Sequence, residues 1–297
     1  MRTTLGDLLQ KNGPVLADGA MGTMLFTLGL QHGDAPESWN LAESDMIKQV
    51  HRGYIEAGSQ IILTNTFGGN GLRLALHNLS DQVVPLNKAA AMNAVEVAEN
   101  VKGPVVVAGS MGPTGGLLEP LGELTMDEMI STFSEQAAAL VEGGVDVIWI
   151  ETMSDLGEVR AAVEGARAAS AQVPVVATMT FDTAGHTMMG VSPEKAVEAL
   201  EQLELAAFGA NCGNGVEEIE EVIRKMYAVN PDATLIAKAN AGIPHLENGV
   251  AVYGASPEMM AAYAERAIAA GAKIVGGCCG STTDHIRAMA KTLSGKD

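Results

Sequence analysis

The chain of 297 residues is 47% hydrophobic and 18% charged, which is enough for one large α/β core. Its formal net charge of −18 and pI near 4.6 repel a phosphate backbone, so nucleic acid is excluded as a partner class. The first residues hold no apolar segment of signal length and no later run reaches the roughly 20 apolar residues that span a bilayer, so the sequence predicts no membrane association and a cytoplasmic protein with reduced cysteines.

Short runs rich in Val and Ile alternate with longer helical patterns, as in parallel strands covered by helices. In chain order the strands are predicted over 14–20, 60–67, 105–110, 146–153, 173–180, 206–212, 234–240 and 272–279. The helices are predicted near 43–58, 82–101, 125–143, 155–171, 193–203, 216–230, 257–270 and 283–293. Several carry their own start signals. Thr125 with Glu128 forms a capping box, and Ser192-Pro193 and Ser256-Pro257 set a capping hydroxyl before a proline. Eight such units close most simply as a single (β/α)8 TIM-type barrel, one α/β domain over 1–297. A doubly wound sheet fits less well, because Asp18-Gly19-Ala20-Met21-Gly22 after the first strand lacks the spacing of a dinucleotide loop.

Such a barrel places its chemistry at the C-terminal ends of its strands. There the sequence puts Asp18, Asn65, Ser110, Glu151, Thr180, Cys212, Asn240 and the adjacent Cys278 and Cys279. Vicinal cysteines rarely join each other, because disulfide geometry strains the peptide unit between them, but they can share one metal ion. On a regular strand their side chains diverge, so they converge only where the strand leaves its pleat, and Gly276, Gly277 and Gly280 permit that. Cys212 and the pair come from alternate strands, which contribute to the same layer of a barrel.

Three thiolates on Zn2+ leave a fourth position open, the pattern of a catalytic site. An ion so neutralised suits holding a substrate thiolate for attack on an electrophilic carbon better than polarising a carbonyl. Around it, Asp18 and Glu151 are expected to take an ammonium group and the amides of Gly19 and Ala20 a carboxylate. Asn240 is expected to orient substrate or fill the fourth metal position. The six histidines occur singly, away from the strand ends, and are left out of the metal site.

The segments Asp18-Gly19-Ala20-Met21-Gly22, Thr64-Asn65-Thr66-Phe67, Gly112-Pro113-Thr114, Ile150-Glu151-Thr152, Gly209-Ala210-Asn211-Cys212, Asn240-Ala241-Gly242 and Gly276-Gly277-Cys278-Cys279-Gly280 run in this order over nearly the whole chain. On them the sequence resembles the homocysteine S-methyltransferase family, which includes the homocysteine-binding domain of cobalamin-dependent methionine synthase and bacterial proteins classed as betaine–homocysteine methyltransferases. The resemblance implies a zinc-bearing barrel that methylates homocysteine to methionine. It makes Cys212, Cys278 and Cys279 the zinc ligands, sets Asp18, Gly19, Ala20 and Glu151 at the amino acid end of homocysteine, and extends to Asn240 near the metal. It also implies a methyl donor, either a betaine-type onium compound or a methyl-corrinoid protein. Gly68 and Thr152 stand where the animal betaine enzymes carry tyrosines, and only Trp39 matches their donor pocket. The alternative is a homocysteine-binding subunit of a divided cobalamin-dependent methionine synthase, without turnover of its own.

Overall fold

Along each strand the side chains alternate between two apolar compartments, and this alternation sets the architecture. Ile61, Leu63, Val106, Ala108, Val147 and Trp149 belong to an inner cluster, while Ile62, Val107, Ile148 and Ile150 pack outward against helices. Both faces of the sheet are therefore covered, as a closed parallel barrel requires. The structure, a computed structural model, describes residues 2–11, 13–243, 245–247 and 250–295.

The strands are β1 (Val15–Leu16), β2 (Ile61–Leu63), β3 (Val106–Met111), β4 (Val147–Met153), β5 (Val175–Met179), β6 (Ala207–Cys212) and β7 (Leu235–Ala239). An antiparallel hairpin of β8 (His245–Glu247) and β9 (Val250–Val252) intervenes before β10 (Ala272–Gly277). The large sheet has eight parallel strands in the order β1-β10-β7-β6-β5-β4-β3-β2. A bridge between Ala17 and Ile61, with Gln60 N–H donating to Leu16 O at 2.7 Å, brings its two edges together. The result is a single (β/α)8 barrel, as the sequence predicts.

The long helices at Ser44–Ala57, Val83–Glu99, Met126–Glu142, Leu156–Ala169, Pro193–Glu201, Val216–Val229, Pro257–Ala269 and Thr283–Leu293 match the predicted set. Their caps explain their starts. Thr125 and Glu128 cap each other, and Ser192 and Ser256 accept from the backbone three residues on, ahead of a proline.

Several features depart from the expected pattern: β2 ends at Leu63 rather than at 67, and the β8–β9 hairpin and the short helices Trp39–Ala42 and Gly71–Ala75 are additions. β1 is shorter than 14–20 because the chain leaves the sheet at Ala20, which starts the helix Met21–Thr27. The N-terminal residues form a short helix, Leu5–Leu9, closed by a Thr4–Asp7 capping box. Its Leu5 and Leu8 are buried in the inner cluster with Val15, Ile61 and Ile274, so they plug the N-terminal end of the barrel. The open end is left for chemistry.

Candidate functional site

β10 stops at Gly277, so the cysteine pair lies in the turn beyond the strand, where the expected break from the pleat occurs. Cys278 N–H donates to Ala239 O at 2.7 Å, Ala241 N–H to Cys279 O at 2.9 Å, and Ser281 N–H to Cys278 O at 3.1 Å. The turn is thereby pinned to the exit of β7. It depends on glycine: a Cβ on Gly277 would lie 2.3 Å from Ser281 Oγ, and one on Gly280, at φ +77°, 2.2 Å from Tyr253 Cγ. Cys212 ends β6 at φ 66°, a left-handed conformation that costs an L-residue about 1–2 kcal/mol. It turns the side chain off the regular alternation, and the three Sγ atoms come within 4.8 Å of one another.

The chemistry of this cluster fits a cation. Hydrogen bonds from Cys278 and Cys279 hold the Cys212 thiol down to about 3. The same contact with Cys212 pushes Cys278 up to about 11 and raises Cys279 as well. The protein alone thus favours one thiolate at the expense of the others, and three at this spacing need a positive charge between them. Asn240 adds an oxygen. Its Nδ2 donates to Gly213 O at 2.7 Å, its side chain is within hydrogen-bonding range of Cys212, and its buried Oδ1 has no partner among the described residues. Three convergent sulfurs beside an orphaned acceptor suit a metal ion in tetrahedral coordination.

Below the sulfurs, the inward positions of several strands turn polar: Ser110, Glu151, Thr178, Asn211 and Lys238, each buried. Asn211 ties this layer to the cysteines. Its Oδ1 accepts from Thr178 Oγ1 at 2.7 Å and Thr152 N–H at 2.8 Å, and its Nδ2 lies 2.7 Å from Thr152 Oγ1 and 3.8 Å from Cys278 Sγ. Glu151 accepts from Ser110 Oγ at 2.5 Å, and burial pushes its carboxyl up to about 7.

Asp18 has both oxygens engaged. Oδ2 accepts from Leu63 N–H at 2.7 Å and Oδ1 from Lys238 Nζ at 2.9 Å, an ion pair with both side chains at most 3% exposed. Ala20 N–H donates to Ser281 Oγ at 3.0 Å, and a Cβ on Gly19 would come 2.7 Å from the same oxygen. Asp18 and Ala20 therefore spend hydrogen-bonding capacity on the protein itself. Of the expected substrate contacts, Glu151 keeps a carboxylate oxygen, Oε2, without a hydrogen bond among the described residues, while Gly19 is buried beside Ser281 and Tyr54.

The sequence profile of the homocysteine S-methyltransferase family matches residues 15–293. The chain belongs to that family. Methionine synthase from Mycobacterium leprae is 34% identical over 296 residues, covering 94% of this chain and 24% of that protein. For methionine synthase from Mycobacterium tuberculosis the figures are 34% over 308 residues, 98% and 25%. The chain thus spans about a quarter of the length of these family members. Among solved structures, the metallated form of the homocysteine methyltransferase MmuM from Escherichia coli matches with a TM-score of 0.82 at 24% identity, over 96% of this chain and 98% of that one. Its apo form gives 0.76 at 25% identity over the same shares.

Four residues at this family site were not singled out from sequence: Asn211, Lys238, Tyr253 and Ser281. Period two is a signal that could have found two of them, since Lys238 follows inward Ile236 and Asn211 follows inward Ala207. Tyr253 and Ser281 gave no such signal. Tyr253 reaches Cys279 only because the β8–β9 hairpin brings it over Gly280; burial and Cys279 raise its phenol.

Proposed function

We propose that this protein transfers a methyl group to the thiol of homocysteine, giving methionine, at a Zn2+ site formed by Cys212, Cys278 and Cys279. The observation that carries the reading is the convergence of those three sulfurs at the open end of the barrel. A zinc ion, when bound, would supply the charge that lets a substrate thiol ionise near neutral pH while remaining nucleophilic. In the group transfer the sulfur lone pair forms a bond to the donor's methyl carbon as the donor–methyl bond breaks, and the donor leaves with that bonding pair.

The protein's own residues orient the substrate. Glu151, held by Ser110, takes the ammonium group, and the Gly19 amide takes part in holding the carboxylate, since Ala20's amide is occupied by Ser281. Asp18 braces this end through Leu63 and Lys238. Cys212, Cys278 and Cys279 would hold the ion, and Asn240 Oδ1, buried without a partner among the described residues, would be available to it as a further ligand in the absence of substrate. The thiols must stay reduced for this, which favours the cytoplasm.

For the methyl donor, the surface around the mouth favours a methyl-corrinoid protein over a betaine-type onium compound. Leu41, Leu76, Leu117, Leu121, Met188 and Ile243 lie on segments that follow barrel strands and are 49–71% exposed. So much apolar surface on one end is an expected docking face for a macromolecule. An onium pocket would instead need aromatic faces, and a Cβ on Gly68 would meet Glu37 Oε1 at 3.0 Å, leaving little space for a tyrosine there. On this reading the barrel carries out the homocysteine half of a cobalamin-dependent methionine synthesis. The test is methionine formation by the zinc-loaded protein with homocysteine and, separately, betaine, a dimethylsulfonium compound, S-methylmethionine or methylcobalamin. Methylation from methylcobalamin alone is expected. Turnover with a small onium donor would overturn the donor assignment, and no methionine from any donor would overturn the reaction.

A further inference from the structure

Lys238 is a lysine inside an otherwise apolar strand, flanked by Ala237 and Ala239, with its side chain 3% exposed. A buried ammonium is expensive to desolvate and is expected to be fully paired. It has three N–H donors. One is on Asp18 Oδ1 at 2.9 Å, and that is its one hydrogen bond among the described residues; the Trp149 ring centroid lies 5.6 Å from Nζ. Burial would lower its pKa, but Asp18 and Glu151 outweigh that and keep it charged. The ammonium is therefore held in place with donor capacity unspent, at the level of the polar layer under the cysteines.

Glu151 presents the complementary case. It lies on the same inward face of β4 as Trp149, two residues on, and its one hydrogen bond among the described residues uses Oε1 alone. A cation and an anion, each with a free valence and each buried at one end of the barrel, match the two charges of an amino acid zwitterion.

We propose that Lys238 is a substrate-binding residue that receives the α-carboxylate of the thiol substrate on its free N–H groups, while Glu151 receives the α-ammonium. The proposal rests on the homocysteine reading given above and deepens it, because it makes the site selective for a thiol that carries a complete amino acid end. Asp18 then serves as the counter-ion that orients Lys238, its other oxygen being fixed by Leu63.

The test is direct binding, by calorimetry on the zinc-loaded protein, of homocysteine, of 3-aminopropane-1-thiol, which lacks the carboxylate, and of 4-sulfanylbutanoate, which lacks the amine. Wild type is expected to favour homocysteine over both. Lys238→Met is expected to weaken homocysteine about 10- to 100-fold, the range of a hydrogen bond between charged groups, and to leave 3-aminopropane-1-thiol unchanged. Equal weakening of the two, or of neither, would overturn the proposal while leaving homocysteine as substrate. Should Lys238→Met fail to fold, Asp18→Asn keeps the ammonium and removes its partner. Because Asp18 orients Lys238, that variant is expected to weaken homocysteine more than the carboxylate-free thiol, and equal weakening of the two, or of neither, would overturn the proposal. Absence of binding of all three thiols by wild type would overturn the homocysteine reading and this proposal with it.

Discussion

Cys279→Ala leaves two sulfurs, fewer than a tightly held tetrahedral ion requires. Metal analysis of the purified variant is expected to give far less than one zinc per chain, and full retention would remove Cys279 from the ligand set. Glu151→Gln keeps the size and the contact with Ser110 but not the charge. It is expected to weaken homocysteine about 10-fold or more with zinc content unchanged. Burial raises Glu151 to about 7, so below that pH its carboxyl is neutral and cannot hold an ammonium. Thiol ionisation at the metal makes binding pH-dependent in both proteins, so homocysteine affinity of the wild type should fall more steeply than that of the Gln variant as pH drops through about 7. Equal slopes in wild type and variant would remove Glu151 from the substrate site.

Elements matter here as devices for placing side chains. Gly277 lets the cysteine turn approach Ser281, so Gly277→Ala is expected to displace the turn and lower metal affinity while the barrel's circular dichroism is kept; unchanged affinity would contradict this account of the turn. The helix Ser44–Ala57 carries a different kind of constraint. His51 is fully buried there, neither ring nitrogen has a partner among the described residues, and burial lowers its pKa to about 4. The unfolded chain takes up this proton near pH 6.5 and the folded one only near 4, so stability falls as pH drops through that window, by about 3 kcal/mol for this group. His51→Leu is expected to remove that part of the acid sensitivity in pH-dependent urea melts. An unchanged pH profile would contradict it.

The same elements show what the sequence made legible. The eight long helices and the strand count follow from periodicity and caps, and the cysteines from their glycine-bounded turn. The Lys238–Asp18 pair was not legible, because residues 220 apart meet only once the barrel closes. Nor were Leu5 and Leu8, since a short capped helix carries too little periodicity to reveal that it plugs the barrel.

For the molecule as a whole, the arrangement is asymmetric. One end of the barrel is sealed by the N-terminal helix, and the other combines three convergent sulfurs with a buried charged layer, while loops that follow the strands expose Leu76, Leu121 and Met188. A donor protein that docks on those side chains should be sensitive to them. Leu76→Asp with Leu121→Asp, at 69% and 70% exposure, is expected to raise the KM for a methyl-corrinoid protein several-fold and leave transfer from free methylcobalamin unchanged. Equal loss with both donors would point to damage at the site rather than at a docking face.

The central claim, a thiol substrate activated at a three-cysteine zinc site, is tested most directly by zinc K-edge X-ray absorption of the loaded protein with and without homocysteine. The account predicts three sulfurs and one lighter ligand before addition, and four sulfurs after it. A first coordination sphere that homocysteine leaves unchanged would contradict it.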